Sequence, residues 1–512
     1  MAAGAACCAP TGYCYDNTRP RVERGSLLPH STETWRRSTW RVAAKKIKRD
    51  GEEAGVTKSG TKTEGGGGDT GATKGDDANQ DAGLKPDATK SDTKTEGAGA
   101  SKTGMAERRG LGGVTAGAAS SAPTKAIFRD GLCILVLWLF AFSAPVFAAE
   151  RITPVLLTVQ DAPMRFTGSD GRTHLVYEVW MTNFSSGKVS VEQVEILGEG
   201  GVVLQTMDAS EVARRLQPAG FREPSGVMAA STDALLFVHV ILADGETVPQ
   251  QLTHRVKLRA EAAPPGQQEL TETGGETAVD TQPVVVIGPP LRGDRYISAD
   301  SCCDASRHTR AALPVNGRVW IAQRFAVDWE QLDEDGRVYR GAGTDVASYN
   351  IYGKDVLAVA DAKVASVIDN LPNQIPGKMP VNIPIEQADG NSIVLDLSGG
   401  RYALYAHLKP GSIKVHAGDT VKRGETMALV GNSGNTLEPH LHFHVMNHAS
   451  GLASNGLPYE IDSFTVTGKS GGTAAFDTAA AQGTPLAITP VSPARQVTNG
   501  LPLDQFIISF SR

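Results

Sequence analysis

Seven residues constrain this chain more than any others: Pro439-His440-Leu441-His442-Phe443-His444-Val445. Three histidines at i, i+2 and i+4 alternate with Leu441, Phe443 and Val445. In a β-strand that period of two sends the apolar side chains to one face and all three imidazoles to the other. One face belongs to a core and the other to a site. Imidazole is the commonest metal ligand and a general base near neutral pH. The competing reading is an edge strand with solvated histidines. It sits poorly with three of the chain's 11 histidines falling within five residues.

The first part of the chain has no such pattern. Residues 1–125 read as disordered: Gly51 to Gly104 is rich in Gly, Ala, Thr, Lys and Asp, and Thr61-Lys62-Thr63-Glu64-Gly65 recurs as Thr93-Lys94-Thr95-Glu96-Gly97. Too little apolar surface is available there to offset the entropy of ordering. An upstream start codon, with Met105 as the true beginning, is an alternative to Met1. Residues 126–149 carry Arg129, preceded by Lys125, then the uncharged run Gly131 to Ala149 and the small-residue ending Val146-x-Ala148. That order is the layout of a secretory signal peptide. A membrane anchor is the alternative, since the run approaches the ~20 residues needed to span a bilayer. Either way the remainder is expected outside the cytoplasm, secreted, periplasmic or anchored, with membrane contact only if residues 131–149 stay uncleaved. A formal charge of −6 gives no electrostatic case for nucleic acid. Of six cysteines, only the neighbours Cys302 and Cys303 follow the apolar run, and adjacent cysteines cannot staple distant segments.

The rest reads as mainly β. Residues 150–290 hold short alternating segments, such as Leu175, Tyr177, Val179 and Met181, with others at 191–197, 234–242, 252–258 and 284–287. Five or more short strands suggest a β-sandwich, immunoglobulin-like in type. His174, His239 and His254 occur singly in it and read as structural or surface residues. Residues 291–465 carry short strands and frequent turns, Gly418 to Thr426 reading as a hairpin turn. Residues 466–512 read as a loose Gly/Ala/Thr/Pro-rich tail, from which Leu501 to Phe510 can return as a last strand.

Five motifs in the second half belong together: Gly353-Lys354-Asp355-Val356-Leu357-Ala358-Val359-Ala360, Tyr405-Ala406-His407-Leu408, Gly418-Asp419-x-Val421-x-x-Gly424, Gly431-Asn432-Ser433-Gly434-Asn435 and Pro439-His440-Leu441-His442-Phe443. As a set, from Arg318 to Met446, this region resembles the lysostaphin/LytM-type zinc endopeptidases, which cut peptide cross-links in bacterial cell walls. The resemblance implies a folded antiparallel β-sheet with a zinc site in a surface groove. It implies Asp328 and His442 as zinc ligands, and His407 and His440 as the catalytic pair acting on water and the transition state.

Two positions depart from the pattern. The family's first ligand is a histidine four residues before the aspartate; here Arg324 stands there, and a permanently protonated guanidinium cannot ligate zinc. His444 stands where the family usually has Glu. His442 and His444 lie roughly 7 Å apart along a strand, within reach of one ion, whereas His440 and His444 are twice that distance apart. The third ligand is therefore sought first in His444, which already lies on the imidazole face, then in His308. Cys302-Cys303, close to His308, would be soft zinc ligands if reduced, though a buried or turn pair is the simpler reading. In a site completed this way, Arg324 is free to face the groove and pair with a substrate carboxylate.

The function expected is that of an exported zinc-dependent endopeptidase acting on peptidoglycan or another extracellular peptide. The alternative is a catalytically degenerate module that binds cell wall or activates another wall hydrolase; the loss at Arg324 argues for it, and the retention of Asp328, His407, His440 and His442 argues against it. A lipoyl- or biotinyl-type carrier is excluded, because the turn Gly431-Asn432-Ser433-Gly434 lacks the lysine such a carrier modifies.

Overall fold

The computed structural model of the protein describes residues 151–511. The expected disordered region and signal segment, with Cys7, Cys8, Cys14 and Cys133, lie outside the described residues. The described residues are mainly β, and among them no helix is long and apolar enough to cross a membrane.

The first half is built on β1 (Thr173–Asn183), β2 (Val189–Leu197), β3 (Asp233–Ile241) and β4 (Gln251–Ala260). β1 and β3 pair in one antiparallel sheet, and β2 and β4 in another, each sheet holding five strands. Leu175, Tyr177, Val179 and Met181 of β1 pack with Val191, Val194 and Ile196 of β2 and Val256 and Leu258 of β4 in one core. The two sheets therefore form a sandwich, as the alternation predicts. The outer face of β1 and β3 is buried too. Val176 joins a core with Phe325, while Trp180, Leu235 and Phe237 pack on Ile321. The second half of the chain covers what would otherwise be a solvated sheet face.

That second half centres on a sheet of 12 strands. Its central strands are β5 (Gly293–Ala299), β6 (Val327–Gln331), β7 (Tyr402–Ala406) and β8 (Leu441–Met446). A four-residue helix, α1 (Ser306–Thr309), lies between β5 and β6 in the chain. β6 pairs with β5 on one side and β8 on the other, and β8 pairs with β7. Leu441, Phe443 and Val445 are each 0 % exposed and share a core with Val327, Trp329 and Tyr405. The histidine face looks the other way, as the period of two requires.

Three expectations about organisation are corrected. Residues 466–512 are not a loose tail: β9 (Tyr459–Ser470), α2 (Thr473–Gln482) and β10 (Phe506–Phe510) follow β8, and β10 sits between β9 and β5 inside the sheet. Phe464, Val466, Ile508 and Phe510 supply the apolar surface that holds this segment in place, despite its Gly- and Thr-rich composition. Val285–Ile287 leaves the sandwich and pairs in parallel with β9. The segment 418–426 does not join two mutually paired strands: Thr420–Val421 pairs with Ala362–Ile368, and Thr426–Leu429 with Asp355–Leu357.

Candidate metal centre

Strand register assembles the site. Asp328 on β6 lies opposite His442 on β8, and His442 lies opposite Ala406 on β7. The next residue after β7 is His407, and His440 immediately precedes β8. All four functional side chains expected from the sequence are thereby gathered at one place. Asp328 Oδ1 is 2.8 Å from His442 Nδ1 and 3.4 Å from His440 Nε2. The rings of His407 and His440 stand 4.7 Å apart.

A fifth residue completes the cluster. His308 on α1 places Nε2 3.3 Å from Asp328 Oδ2. Its Nδ1 donates to the Asp300 carbonyl at 2.8 Å, which turns Nε2 towards Asp328. The ligand atoms of His308, Asp328 and His442 all lie within 4.8 Å of one another. Two imidazoles and one carboxylate are a donor set that suits zinc with an open fourth position, so the residues present fit the metal the sequence implies. α1 is itself held from two sides. Arg307 pairs with Asp300 at 2.7 Å and also with Asp477 on α2, so the C-terminal segment braces the helix that carries His308.

His444 takes another part. Its Nδ1 lies 3.0 Å from His442 Nε2, on the side of that ring away from Asp328. His442 Nδ1 donates to the ionised Asp328 carboxylate and its Nε2 accepts from His444 Nδ1; with Nδ1 committed to a metal, the His442 proton would move to Nε2, with His444 as its acceptor. The preference for His444 over His308 as third ligand is thus reversed: His444 lies behind the ligand, and His308 lies beside the carboxylate. A histidine behind a metal-ligating histidine orients the ring and sets its basicity.

Burial sets the charge of the group. Burial alone would raise the Asp328 carboxyl, but the facing imidazoles of His308 and His440 outweigh it and hold Asp328 well below the usual carboxylate range. Burial pushes His442 down to about 4, although Asp328 pulls the other way. Burial, then repulsion from His440 and His442, pushes His407 well below its ordinary value, and burial does the same for His444. These three imidazoles are neutral at pH 7, the state in which a nitrogen can ligate a metal or accept a proton.

His407 and His440 are oriented by backbone. His407 Nδ1 donates to the Ser433 carbonyl at 2.8 Å, and His440 Nδ1 to the Glu438 carbonyl at 2.8 Å, leaving each Nε2 as the basic nitrogen. His407 has φ +60°, a left-handed conformation uncommon for a non-glycine residue, and its N–H donates to the Asp389 carbonyl at 2.9 Å. The loops supplying these carbonyls meet through two glycines. A Cβ on Gly390 would lie 2.2 Å from Ser433 O, and one on Gly434 would lie 2.4 Å from Gly390 N. The close approach that places Ser433 against His407 therefore requires glycine at both positions.

Glu330 is a site residue the sequence reading missed. It lies two residues after Asp328 on the same face of β6, is 3 % exposed, and leaves Oε2 without a hydrogen bond. Burial first, then the charges of Glu438 and Asp328, push its carboxyl well above the usual range. Burial and Asp477 likewise raise Glu438 to about 7, against the pull of Arg307. The same period of two that singled out the histidines would have found Glu330.

Two further expectations, for Arg324 and for an open groove, are corrected, while Cys302-Cys303 is the buried pair expected. Arg324 does not face a groove or a substrate. It is 5 % exposed, and its fork donates to Glu178 of β1 at 2.8 and 2.6 Å and to the Gly456 carbonyl at 3.2 Å. A buried guanidinium needs a carboxylate, and the sandwich provides one. Cys302 and Cys303 are bonded to each other as a disulfide, so neither offers a thiolate to this site. The site is also not an open surface groove: Asp328, His308, His407, His440, His442 and His444 are each at most 4 % exposed.

Comparison with known proteins gives these residues a context. Residues 340–455 match the family model of peptidase family M23. The match includes His407, His440, His442 and His444, while His308 and Asp328 precede it. A curated relative, an uncharacterized metalloprotease of Haemophilus influenzae, is 37 % identical over 98 residues, which is 19 % of this chain and 20 % of the relative. The chain thus spans about a fifth of that relative's length. Among solved structures, the catalytic domain of the antimicrobial peptidase lysostaphin from Staphylococcus simulans is 20 % identical, covering 32 % of this chain and 86 % of that one, with a TM-score of 0.18. A zinc-containing peptidase from Vibrio cholerae is 15 % identical, covering 60 % and 86 %, with a TM-score of 0.21.

Proposed function

We propose that this chain, whose residues 340–455 form a peptidase family M23 domain, is an exported zinc-dependent endopeptidase that hydrolyses peptide bonds in cell-wall peptidoglycan. The observation that carries the reading is the convergence of His308, Asp328 and His442 on one point, with the basic nitrogens of His407 and His440 beside it. Zinc bound there would acidify a water towards pKa ~7 and polarise the scissile carbonyl. Asp328 and the two imidazoles would hold the ion. One of His407 and His440, its Nδ1 already committed to a backbone carbonyl, would take the water's proton on Nε2. The other would hydrogen-bond the developing oxyanion. Export rests on the basic, apolar and small-residue order of 125–149.

A second reading, a degenerate module that binds wall or activates another hydrolase, is favoured by the closure of the site, every functional side chain being at most 4 % exposed. One experiment separates the two. Purified full-length protein is incubated with peptidoglycan, and newly exposed amino groups are counted with and without a chelator. Release that stops on chelation and returns with zinc supports the peptidase. Wall binding without release supports the module. Amino-terminal sequencing of protein from the producing cells tests export: a start near Ala149 is expected, and an intact cytosolic chain would refute it.

A further inference from the structure

A second set of metal-ligating side chains lies at the seam between the sandwich and the peptidase half. His174 on β1 and His239 on β3 face each other, with His174 Nδ1 2.9 Å from His239 Nε2. Each ring is anchored on its far side: His174 Nε2 donates to Asp170 Oδ1 at 2.9 Å, and His239 Nδ1 to Asp304 Oδ2 at 3.0 Å. Burial would raise both carboxyls. The hydrogen bonds from the two histidines, aided by Arg172 at Asp170 and Arg215 at Asp304, outweigh it and keep both ionised, hence acceptors only.

Counting protons gives the consequence. A neutral imidazole carries one N–H, and each ring has committed its own to a carboxylate. The two remaining nitrogens therefore present lone pairs to each other at 2.9 Å. Such a contact persists only with a cation between them, either a shared proton or a metal ion. Cys303 Sγ completes the set: it and one ring nitrogen of each histidine lie within 4.8 Å of one another. His174, His239 and Cys303 are 1, 8 and 8 % exposed. Carboxylates behind both imidazoles are the usual support of metal-ligating histidines. With Zn–N bonds of ~2.0–2.1 Å, two tetrahedral nitrogen ligands stand about 3.3 Å apart, a few tenths of an ångström beyond the present spacing. A cavity of about 10 Å³, roughly the room of one water, adjoins Cys303 and Asp304.

We propose that His174 Nδ1, His239 Nε2 and the Cys303 thiolate form a second metal site, for a thiophilic cation of the zinc class, that opens when the Cys302–Cys303 disulfide is reduced. While the disulfide stands, Cys303 has no thiolate and the imidazoles share a proton. A dithiol reductant supplies two electrons and two protons: the S–S bond breaks, two S–H bonds form, and the dithiol becomes a disulfide. On binding, Cys303 gives up its thiol proton and the imidazole pair gives up the shared one. The site shares no ligand with the Asp328 centre and does not depend on its activity.

The test is metal stoichiometry of the full chain by elemental mass spectrometry, after dialysis against zinc with and without prior dithiol treatment. Cys7, Cys8, Cys14 and Cys133 are replaced by serine in every protein compared. Reduction should raise bound zinc by one ion per chain. Cys303→Ser and His239→Gln should each lose that additional ion and no other, with circular dichroism reporting that both remain folded. His308→Ala should lose an ion while keeping the reduction-dependent one. Cobalt bound in place of zinc should show a thiolate-to-metal charge-transfer band that Cys303→Ser abolishes. An unchanged stoichiometry on reduction, or an additional ion that survives both Cys303→Ser and His239→Gln, would overturn the proposal.

Discussion

Arg324 is locked onto Glu178 by two hydrogen bonds of 2.8 and 2.6 Å, both residues being 5 % exposed. The position where the family resemblance implies a metal ligand has become a clamp between the two halves of the chain. On the reading proposed above, His308, on a helix that precedes the strand, would supply the third donor beside Asp328 and His442.

This relationship sets the outcome of restoring a histidine at the familiar position. Arg324→His should not tighten zinc binding, because that side chain points at the sandwich. It should instead leave Glu178 buried without its fork. Removing one partner of a buried ion pair costs about 3–5 kcal/mol. Denaturant unfolding of Arg324→His, Glu178→Gln and the double variant should show both singles strongly destabilised, and the double less so than their sum. A gain in zinc affinity in Arg324→His, measured by calorimetry, would contradict the placement.

His308 and His444 are separable by the kind of defect each produces. His308→Ala removes a donor atom facing Asp328 and should abolish stoichiometric zinc at the Asp328 centre. His444→Ala removes only the acceptor behind His442. It should lower affinity about 10- to 100-fold, the usual effect of losing such a supporting hydrogen bond, while one ion still binds at saturation. His444→Glu, which restores an acceptor, should recover much of the loss. Full zinc retention in His308→Ala would refute the ligand assignment.

The basic nitrogens of His407 and His440 predict a different split. Alanine at either position should leave zinc stoichiometry near that of the wild type, since Asp328, His308 and His442 remain. Peptide hydrolysis should fall by about 10²- to 10⁴-fold, the range typical of a lost general acid or base. Zinc content and hydrolysis are measured on the same preparations. Parallel loss of both quantities would make either residue a ligand instead.

How far the sequence reveals this arrangement depends on the range of each interaction. The alternation of Leu441, Phe443 and Val445 with the histidines is local, so the strand and its two faces are legible directly. Asp328, His407 and His440 are legible through their motifs. His308 is legible only as the second choice after His444, marked by the nearby Cys302-Cys303; the pairing of β5, β6 and β8, with Arg307 held by Asp300 and Asp477, is what brings it to Asp328. The fate of Arg324 is hidden, since its partner Glu178 belongs to another domain. The C-terminal segment is only partly legible: the apolar run from Phe506 to Phe510 marks its last strand, but Thr465, Thr467 and Gly468 around Phe464 and Val466 obscure the strand before it, whose few apolar residues enter the core.

Acid should weaken the sandwich through one residue remote from the metal centre. His254 is 0 % exposed, with Nδ1 3.1 Å from the Gly275 carbonyl and Nε2 2.8 Å from the Tyr177 hydroxyl. Nδ1 donates to the carbonyl, and Nε2 accepts from Tyr177. Burial pushes His254 down to about 4, although the backbone carbonyls around Gly274 and Gly275 pull upward. The sign follows from proton binding. Above pH ~6.5 the imidazole is neutral in both folded and unfolded chains and contributes no slope. Below it the unfolded chain takes up a proton that the folded chain refuses, so stability declines until the pH reaches about 4, where the folded histidine also protonates. A shift of this size corresponds to at most roughly 3 kcal/mol. Urea unfolding followed by sandwich tryptophan fluorescence should give midpoints that fall between pH 6.5 and 4.5, and His254→Gln, which can keep one of the two hydrogen bonds, should flatten that fall while lowering stability at pH 7. An equally steep fall in His254→Gln would assign the acid sensitivity to other groups.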